Sequence, residues 1–516
     1  MSRFTFSRRG FLGVAGGVVA AAGVGAGIPW LARPAEIGTQ LTSRLPLPQP
    51  FTVPLPVPPV ATPTGDHYEI TQQVATKEIL PGVPTEIWGF NGIYPGPTIV
   101  SQSGQRTIVR HRNHLPAPTV VHLHGGHTPP LSDGYPTDLV FPAGMAATPA
   151  MAQSMGMAPD PRAVLAEGTR DYDYPLRQRA TTLWYHDHRM GFTGASVYRG
   201  LAGFHLIHDQ EELALPLPRG DRDVPIMLAD RAFAADGSLV YPAVDPTLLH
   251  TPGVTGSAVQ GVLGDVILAN GAPWPAMEVD AARYRFRFLN ASNARRYGLA
   301  LDPPPPGGAG LIQIGSDGGL LRAPIPHDQI QLSPAERFDV VIDFSRYRVG
   351  QQVVLRNLLG TGTTANVMRF HIVRPATDDT HIPARLTEID TLNPSQATTT
   401  RDFSFLSSAN GWTINGQAFD PRLINANPTL GDTEIWRFVS DFHHSIHLHL
   451  VQFQVLSRDG RAPGPYDAGW KDTVDTLPAQ AITVIARFTD YRGRFIYHCH
   501  NLEHEDMGMM ANFEVG

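Results

Sequence analysis

Cysteine is almost absent from the chain: Cys499 stands alone among 516 residues. No internal disulfide can form, so stability must come from the cores. Charge is sparse too. Asp, Glu, Lys and Arg make up 17% of the residues, and a net charge of −7 leaves no basic excess. That balance argues against nucleic acid or an anionic membrane surface as a partner. Long amphipathic helical patterns are also missing. In their place stand 50 glycines and 47 prolines, a turn-rich mixture that suits an all-β protein. The length exceeds what one core holds, and two to four domains are expected.

The long apolar stretch is N-terminal. "SRRGFLG" (Ser7 to Gly13) sets Arg8 and Arg9 ahead of a Gly/Ala-rich run reaching about Ala32. The pair resembles a twin-arginine signal, an address read by the twin-arginine export machinery. Residues 1–35 are assigned to it, with cleavage between Ala26 and Ala35, and a periplasmic, cell-envelope or extracellular location is expected. A membrane anchor is the alternative, because the run is nearly long enough to span. A Pro-rich lead-in follows from Arg44 to Gly65.

One pattern recurs three times. "FNGIYPGP" begins at Phe90, "ANGAPWP" at Ala269 and "INGQAFDP" at Ile414. Each holds an Asn-Gly turn dipeptide, at Asn91, Asn270 and Asn415, followed by proline. Each precedes a strand-like run: "RTIVRHRN", "YRFRFLN" and "EIWRFV". Three antiparallel β-sandwich or barrel domains are predicted, over residues 45–215, 216–375 and 395–516. The first copy continues "VHLHGG" and the third "IHLHL", whereas the middle copy has Leu299 and Leu301 where histidines would sit. The outer domains therefore carry the chemistry, and the middle one is read as a spacer without metal.

Four His-x-His pairs appear: His122/His124, His186/His188, His447/His449 and His498/His500. Residues two apart in a strand share a face, so each pair can present two imidazoles together. A lone histidine is more often a satisfied polar residue than a ligand. Four pairs in duplicated contexts point instead to a metal, and imidazole alone leaves Zn, Cu, Fe and Ni open. Cys499 narrows the choice, because a thiolate, two imidazoles and a weak thioether define a blue-copper site. His504 follows Cys499 by five residues and Met509 by ten, and His444 can supply the second imidazole. Its neighbours His498 and His500 belong to the paired set, so Cys499 would join two metal sites by a short covalent path.

The motifs "HLHGG", "WYHDH", "HSIHLHL" and "HCHNLEHEDMGMM" resemble those of the multicopper oxidases, in the branch of the bacterial spore-coat laccase and bilirubin oxidase. The likeness extends to "YRFRFLNASNARRYGLALD", "IQIGSDGGLL" and "LSPAERFDVVIDF", and so covers nearly the whole mature chain. It implies three cupredoxin-like Greek-key domains and four copper ions, one of type 1, one of type 2 and two of type 3. By the same resemblance His444, Cys499, His504 and Met509 hold type 1 copper, and His122 and His447 hold type 2. His124, His186 and His500 take one ion of the type 3 pair, with His188, His449 and His498 on the other. No ligand position departs from the family pattern, and the axial methionine should hold the potential moderate. The other histidines, His127 and His443 among them, are read as supporting or surface groups.

The implied reaction couples one-electron oxidations of phenols or aromatic amines, bilirubin included, to four-electron reduction of O2 to water. Electrons enter through His444 or His504 near the surface, and Cys499 relays them. Glu505 and Asp133 match acidic residues that donate protons in the family. A loop-like insert, Phe141 to Pro161, carries Met145, Met151, Met155 and Met157. Thioethers favour Cu(I), so cuprous ion is the alternative reductant, a lid or plain loop being the simpler reading of the insert. A non-catalytic copper-binding protein would show missing ligands, and none is missing. A nitrite reductase lacks the full motif set, and a zinc or iron hydrolase would leave Cys499 idle. A monomer is expected.

Overall fold

The computed structural model describes residues 38–408 and 411–516. The twin-arginine segment lies outside the described residues. Strands dominate the regular structure of the remainder, and the longest described helix, Thr193–Arg199, has seven residues. No described helix is long and apolar enough to cross a membrane.

In the first third, one sheet has the order Gly96–Gln102, Ala202–His208, Thr181–Asp187, Val121–His124. A second has Val83–Phe90, His67–Leu80, Thr107–His114, Thr169–Tyr174. The middle third holds a seven-stranded and a five-stranded sheet between Asp223 and Pro375. The last third pairs a five-stranded sheet, centred on Thr433–Ser440, with a four-stranded one of order Thr473–Thr476, His444–Leu448, Gly493–Cys499, Met510–Val515. For the site, β1 denotes Val121–His124, β2 Thr181–Asp187 and α1 Thr193–Arg199. Further along, β3 is Arg337–Asp343, β4 His444–Leu448, β5 Thr473–Thr476, β6 Gly493–Cys499, α2 Leu502–Asp506 and β7 Met510–Val515.

The Asn-Gly repeats do the same mechanical work three times. Asn91, Asn270 and Asn415 have φ of 55°, 50° and 53°, and the following glycines are also left-handed, as a tight primed turn requires. Each Asn Oδ1 accepts a backbone N–H from a neighbouring strand: Thr71 at 2.7 Å, Met227 at 2.8 Å and Ser404 at 2.7 Å. The strand-like run downstream of each turn then pairs in parallel with the strand that begins its repeat, as Thr107–His114 does with His67–Leu80. The sheets are therefore mixed, not antiparallel throughout as the sequence suggested. The physical reason is that each repeat crosses over before returning beside its first strand.

Alternation along the strands separates core from chemistry. Leu123 and Tyr185 enter the apolar core of the first third, while His122, His124 and His186 share the opposite face, His186 directly across from His122. In the last third Ile446, Leu448, Tyr497 and Cys499 lie in the core with Trp436 and Phe438. His447 and His498, opposite one another, point the other way.

Candidate metal centre

Cys499 is fully buried, and its Sγ lies 3.4 Å from His444 Nδ1 and 3.6 Å from His504 Nδ1. The two imidazole nitrogens are themselves 3.2 Å apart. β4 and β6 bring His444 and Cys499 together because Ile446 pairs with Cys499. α2 supplies His504, its first turn held by the Asn501 side chain, which accepts from the N–H of Glu503 and His504. Met509 is buried in the same apolar cluster as the thiol. Burial pushes the Cys499 thiol up to about 12, so only a cation at this point would hold it as thiolate.

The eight paired histidines converge elsewhere. His124, His186 and His500 form one group with donor atoms all within 4.8 Å of one another; His188, His449 and His498 form a second; His122 and His447 fall together with His124. The rings of His124 and His447 stack at 3.7 Å, and those of His122 and His449 at 3.9 Å. Burial first, then neighbouring imidazoles, drives His122, His186, His449 and His500 well below the usual histidine value. These rings are neutral and carry free lone pairs, the form a metal takes.

Outer contacts choose which nitrogen faces inward. His122 Nδ1 donates to the Asp133 carbonyl and His186 Nδ1 to that of Asp187. His447 Nδ1 donates to the Asp472 carbonyl and His498 Nδ1 to that of Cys499. His449 Nδ1 donates to Asp133 Oδ2 at 2.8 Å. Nε2 of His122, His186 and His447, Nδ1 of His124 and both nitrogens of His500 are left buried without a hydrogen-bond partner. Such orphans are costly. Bound copper ions would remove that cost, and clustered imidazole nitrogens beside a Cys-His-His-Met set suit copper. The residues therefore fit the metal that the resemblance implies.

Both acidic residues singled out from the sequence are here. Glu505 is buried, 3.4 Å from His188 Nδ1 and 3.2 Å from His498 Nδ1, and burial raises its pKa. Asp133 is buried too, and desolvation raises it well above the usual carboxylate value.

The surroundings of His444 and His504 depart from expectation. Neither imidazole is exposed: the residues are 1% and 0% accessible. Trp412 stacks on His504 at 3.7 Å, and its Nε1 donates to the Val259 carbonyl. His504 Nε2 lies 3.2 Å from the Gln260 carbonyl, and His444 Nε2 lies 3.2 Å from Asp441. The edges turned away from Cys499 are thus closed, and the partly exposed carboxylate of Asp441 lies on the outer edge of His444. A cavity of about 20 Å³ beside His444 is lined by Arg296, His443 and Asp475. His443 is buried against Arg296, and His127 bridges the Leu450 carbonyl and Asp490.

Sequence reading missed Trp412, Asp441, Asp472 and Arg337. Trp412 and Arg337 are remote in sequence from what they touch, whereas Asp441 stands three residues before His444. Asp472 carried a usable signal, since it opens a short strand-like run after a proline- and glycine-rich stretch.

Multicopper oxidase family models match residues 389–516 and residues 71–155 and 156–212. A laccase of Bacillus stratosphericus is 37% identical, the alignment covering 90% of this chain and 99% of that protein. A bilirubin oxidase of Albifimbria verrucaria is 36% identical over 92% of this chain and 82% of its own. The solved laccase of Pediococcus acidilactici superposes with a TM-score of 0.78 at 32% identity, covering 92% of this chain and 95% of that one.

Proposed function

The chain belongs to the multicopper oxidases, and we propose that its laccase-like oxidation of reducing substrates by O2 runs on four copper ions held by the donor groups described above. In this reading His444, Cys499, His504 and Met509 hold type 1 copper, and His122 and His447 hold type 2. The triads His124/His186/His500 and His188/His449/His498 each hold one type 3 ion. The observation that carries it is the meeting of Cys499 Sγ with two imidazole Nδ1 atoms, one peptide bond away from histidines of both triads.

Bound copper supplies one-electron chemistry at the cysteine and O2 binding and reduction among the paired histidines. The protein's own groups do the rest. Cys499 Sγ joins the two regions through its backbone to His498 and His500. The stacked Trp412 and the Gln260 carbonyl keep His504 in place and exclude water from it. Glu505 stands beside His188 and His498, and Asp133 beside His449, each placed to deliver a proton there.

Phenols and aromatic amines are the proposed reductants, with bilirubin among them, because the closed edges of His444 and His504 demand contact without a shaped pocket. Cuprous ion is the second reading, resting on the four methionines of the insert. Two of them weigh against it: Met155 and Met157 are 4% and 5% exposed and pack with Val120, Leu139 and Phe141. Thioethers committed to a core are poorly available to an incoming ion. Export by the twin-arginine route to the periplasm, envelope or exterior is proposed from Arg8, Arg9 and the apolar run behind them.

Oxygen uptake by the copper-loaded protein, with a methoxyphenol and a cuprous salt run in parallel, tests the reading. Faster uptake with the phenol is expected. Faster uptake with Cu(I) would transfer the substrate assignment to cuprous ion. No uptake with either, at full copper, would leave a binding protein.

A further inference from the structure

The chain has two lysines, Lys77 and Lys471, and the second is completely buried. Its Nζ lies 3.1 Å from both Asp317 and Glu336. The next residue, Asp472, receives a two-pronged bond from Arg337, whose Nη1 donates to Oδ1 at 2.7 Å and Nη2 to Oδ2. Asp317 orients the arginine in turn. Its Oδ1 accepts the Arg337 N–H at 2.8 Å, and its carbonyl accepts from Nη2 at 3.1 Å. Its Oδ2 lies 3.3 Å from the N–H groups of both Asp472 and Thr473, at the start of β5. Asp317, Glu336 and Arg337, which opens β3, all belong to the middle third, which contributes no donor to the histidine groups among the described residues.

Asp472 passes this fixation to the histidines. Oδ1 accepts from His124 Nε2 at 3.1 Å, and its carbonyl accepts from His447 Nδ1 at 2.9 Å. Each contact leaves the other ring nitrogen, His124 Nδ1 and His447 Nε2, buried and unpartnered. The glycine after His124 reports the same crowding from the third side. Gly125 has φ +82°, and a Cβ there would fall 2.5 Å from Arg337 Nη2 and 2.7 Å from Asp472 Oδ2. The "HLHGG" motif therefore needs glycine where the Arg337–Asp472 pair passes beneath it.

We infer that Arg337 is a positioning residue for the paired-histidine copper site: its fork on Asp472 fixes the tautomer of His124 and the rotation of His447. The middle third is then a part of the metal site without lending it a ligand. This rests on the copper reading proposed above. A planar fork is needed because a lysine ammonium delivers a point charge and cannot hold both carboxylate oxygens at once. Removing an outer partner of a metal-bound histidine costs about 10–100-fold in metal affinity.

The test uses the copper-loaded full chain and the variants Arg337→Lys and Gly125→Ala, the second reaching the same pair from the first third. Copper content, release to a chelator, the paramagnetic resonance signal of non-blue copper and the blue absorption at Cys499 are measured together. Arg337→Lys is expected to keep the blue absorption, to alter the non-blue signal and to weaken copper retention at that site by about 10–100-fold. Gly125→Ala should act in the same direction. An unchanged non-blue signal and unchanged release in both variants, even with a lowered melting temperature, would reduce Arg337 to a stabilising residue. Absence of any non-blue copper in the parent chain would instead overturn the copper reading of the histidine pair, and this inference with it.

Discussion

His498 and Cys499 are neighbours in the chain, yet their side chains leave opposite faces of β6. Cys499 sits in the apolar core of the last third, and His498 faces His449 and His188. The period of two in a strand sends adjacent residues to different sites while one peptide bond joins them. Replacing Cys499 with serine should therefore abolish the blue absorption and drop phenol oxidation to background. The histidine groups, built from the other face, should retain their copper. Copper counting beside visible absorption checks this, and joint loss of all copper would contradict the separation of faces.

Glu505 belongs to α2, one residue after His504, but it reaches the histidine triad and not the cysteine. Its neighbour Asp506 ties α2 to the start of α1 by accepting from the N–H groups of Thr193 and Gly194 at 2.8 and 2.9 Å. The helix is thus pinned so that Glu505 meets His188 and His498. Glu505→Gln preserves the shape and removes the transferable proton. Turnover should fall by about 10²–10⁴-fold, the usual worth of a positioned acid, with copper content and blue absorption kept. Steady-state kinetics with metal analysis decides it, and an unchanged kcat would exclude Glu505 as the donor.

The three Asn-Gly turns look alike in sequence and will not be equal in energy. Asn270 is buried, and besides accepting from Met227 it donates to the carbonyls of Pro56 and Pro225, both at 2.9 Å. Asn415 is exposed and makes the shared bond with Ser404. Alanine at either site meets the left-handed backbone, but only at 270 does it strand buried partners, each costing about 1–3 kcal/mol. Asn270→Ala should lose roughly 3 kcal/mol or more in urea unfolding, and Asn415→Ala roughly 1 kcal/mol. Equal losses would show that the turn conformation alone sets the cost.

Much of this was legible in the chain because it depends on short range. The Asn-Gly repeats, the His-x-His pairs and the spacing from Cys499 to Met509 are local patterns with a local physical meaning, and they led to the all-β fold and to the family. What could not be read depends on contacts between residues far apart in the chain. Arg337 touches Asp472, Trp412 covers His504, and Glu503 accepts from Tyr241. No periodicity announces such pairs. The middle third looked like a spacer because function was sought in ligands, while its contribution is the charge cluster behind them. The insert of methionines looked exposed because its composition is loop-like, but half of its thioethers fold into a core.

Two histidines outside the metal centre give the fold an acid sensitivity of known sign. His111 is buried among the rings of Phe90, Tyr172 and Tyr185, and burial lowers its pKa from 6.5 to about 3. His205 is likewise lowered to about 3 by burial, with Ser101 Oγ at 2.8 Å. Both stay neutral in the folded protein, while in the unfolded chain they take up protons near 6.5. The unfolded state therefore binds more protons at these two positions below that value, so their contribution to stability is flat above pH 6.5 and falls as pH drops toward 3. Each histidine should cost about 2 kcal/mol between pH 6.5 and 5, at 1.36 kcal/mol per unit. His111→Phe fits an aromatic site and removes one of the two, so the variant should lose less stability than the parent on acidification. Urea midpoints of the copper-loaded proteins at pH 7.5, 6 and 5 measure the difference. Parallel curves for parent and variant would mean that His111 is protonated in the folded state and that its burial does not govern its charge.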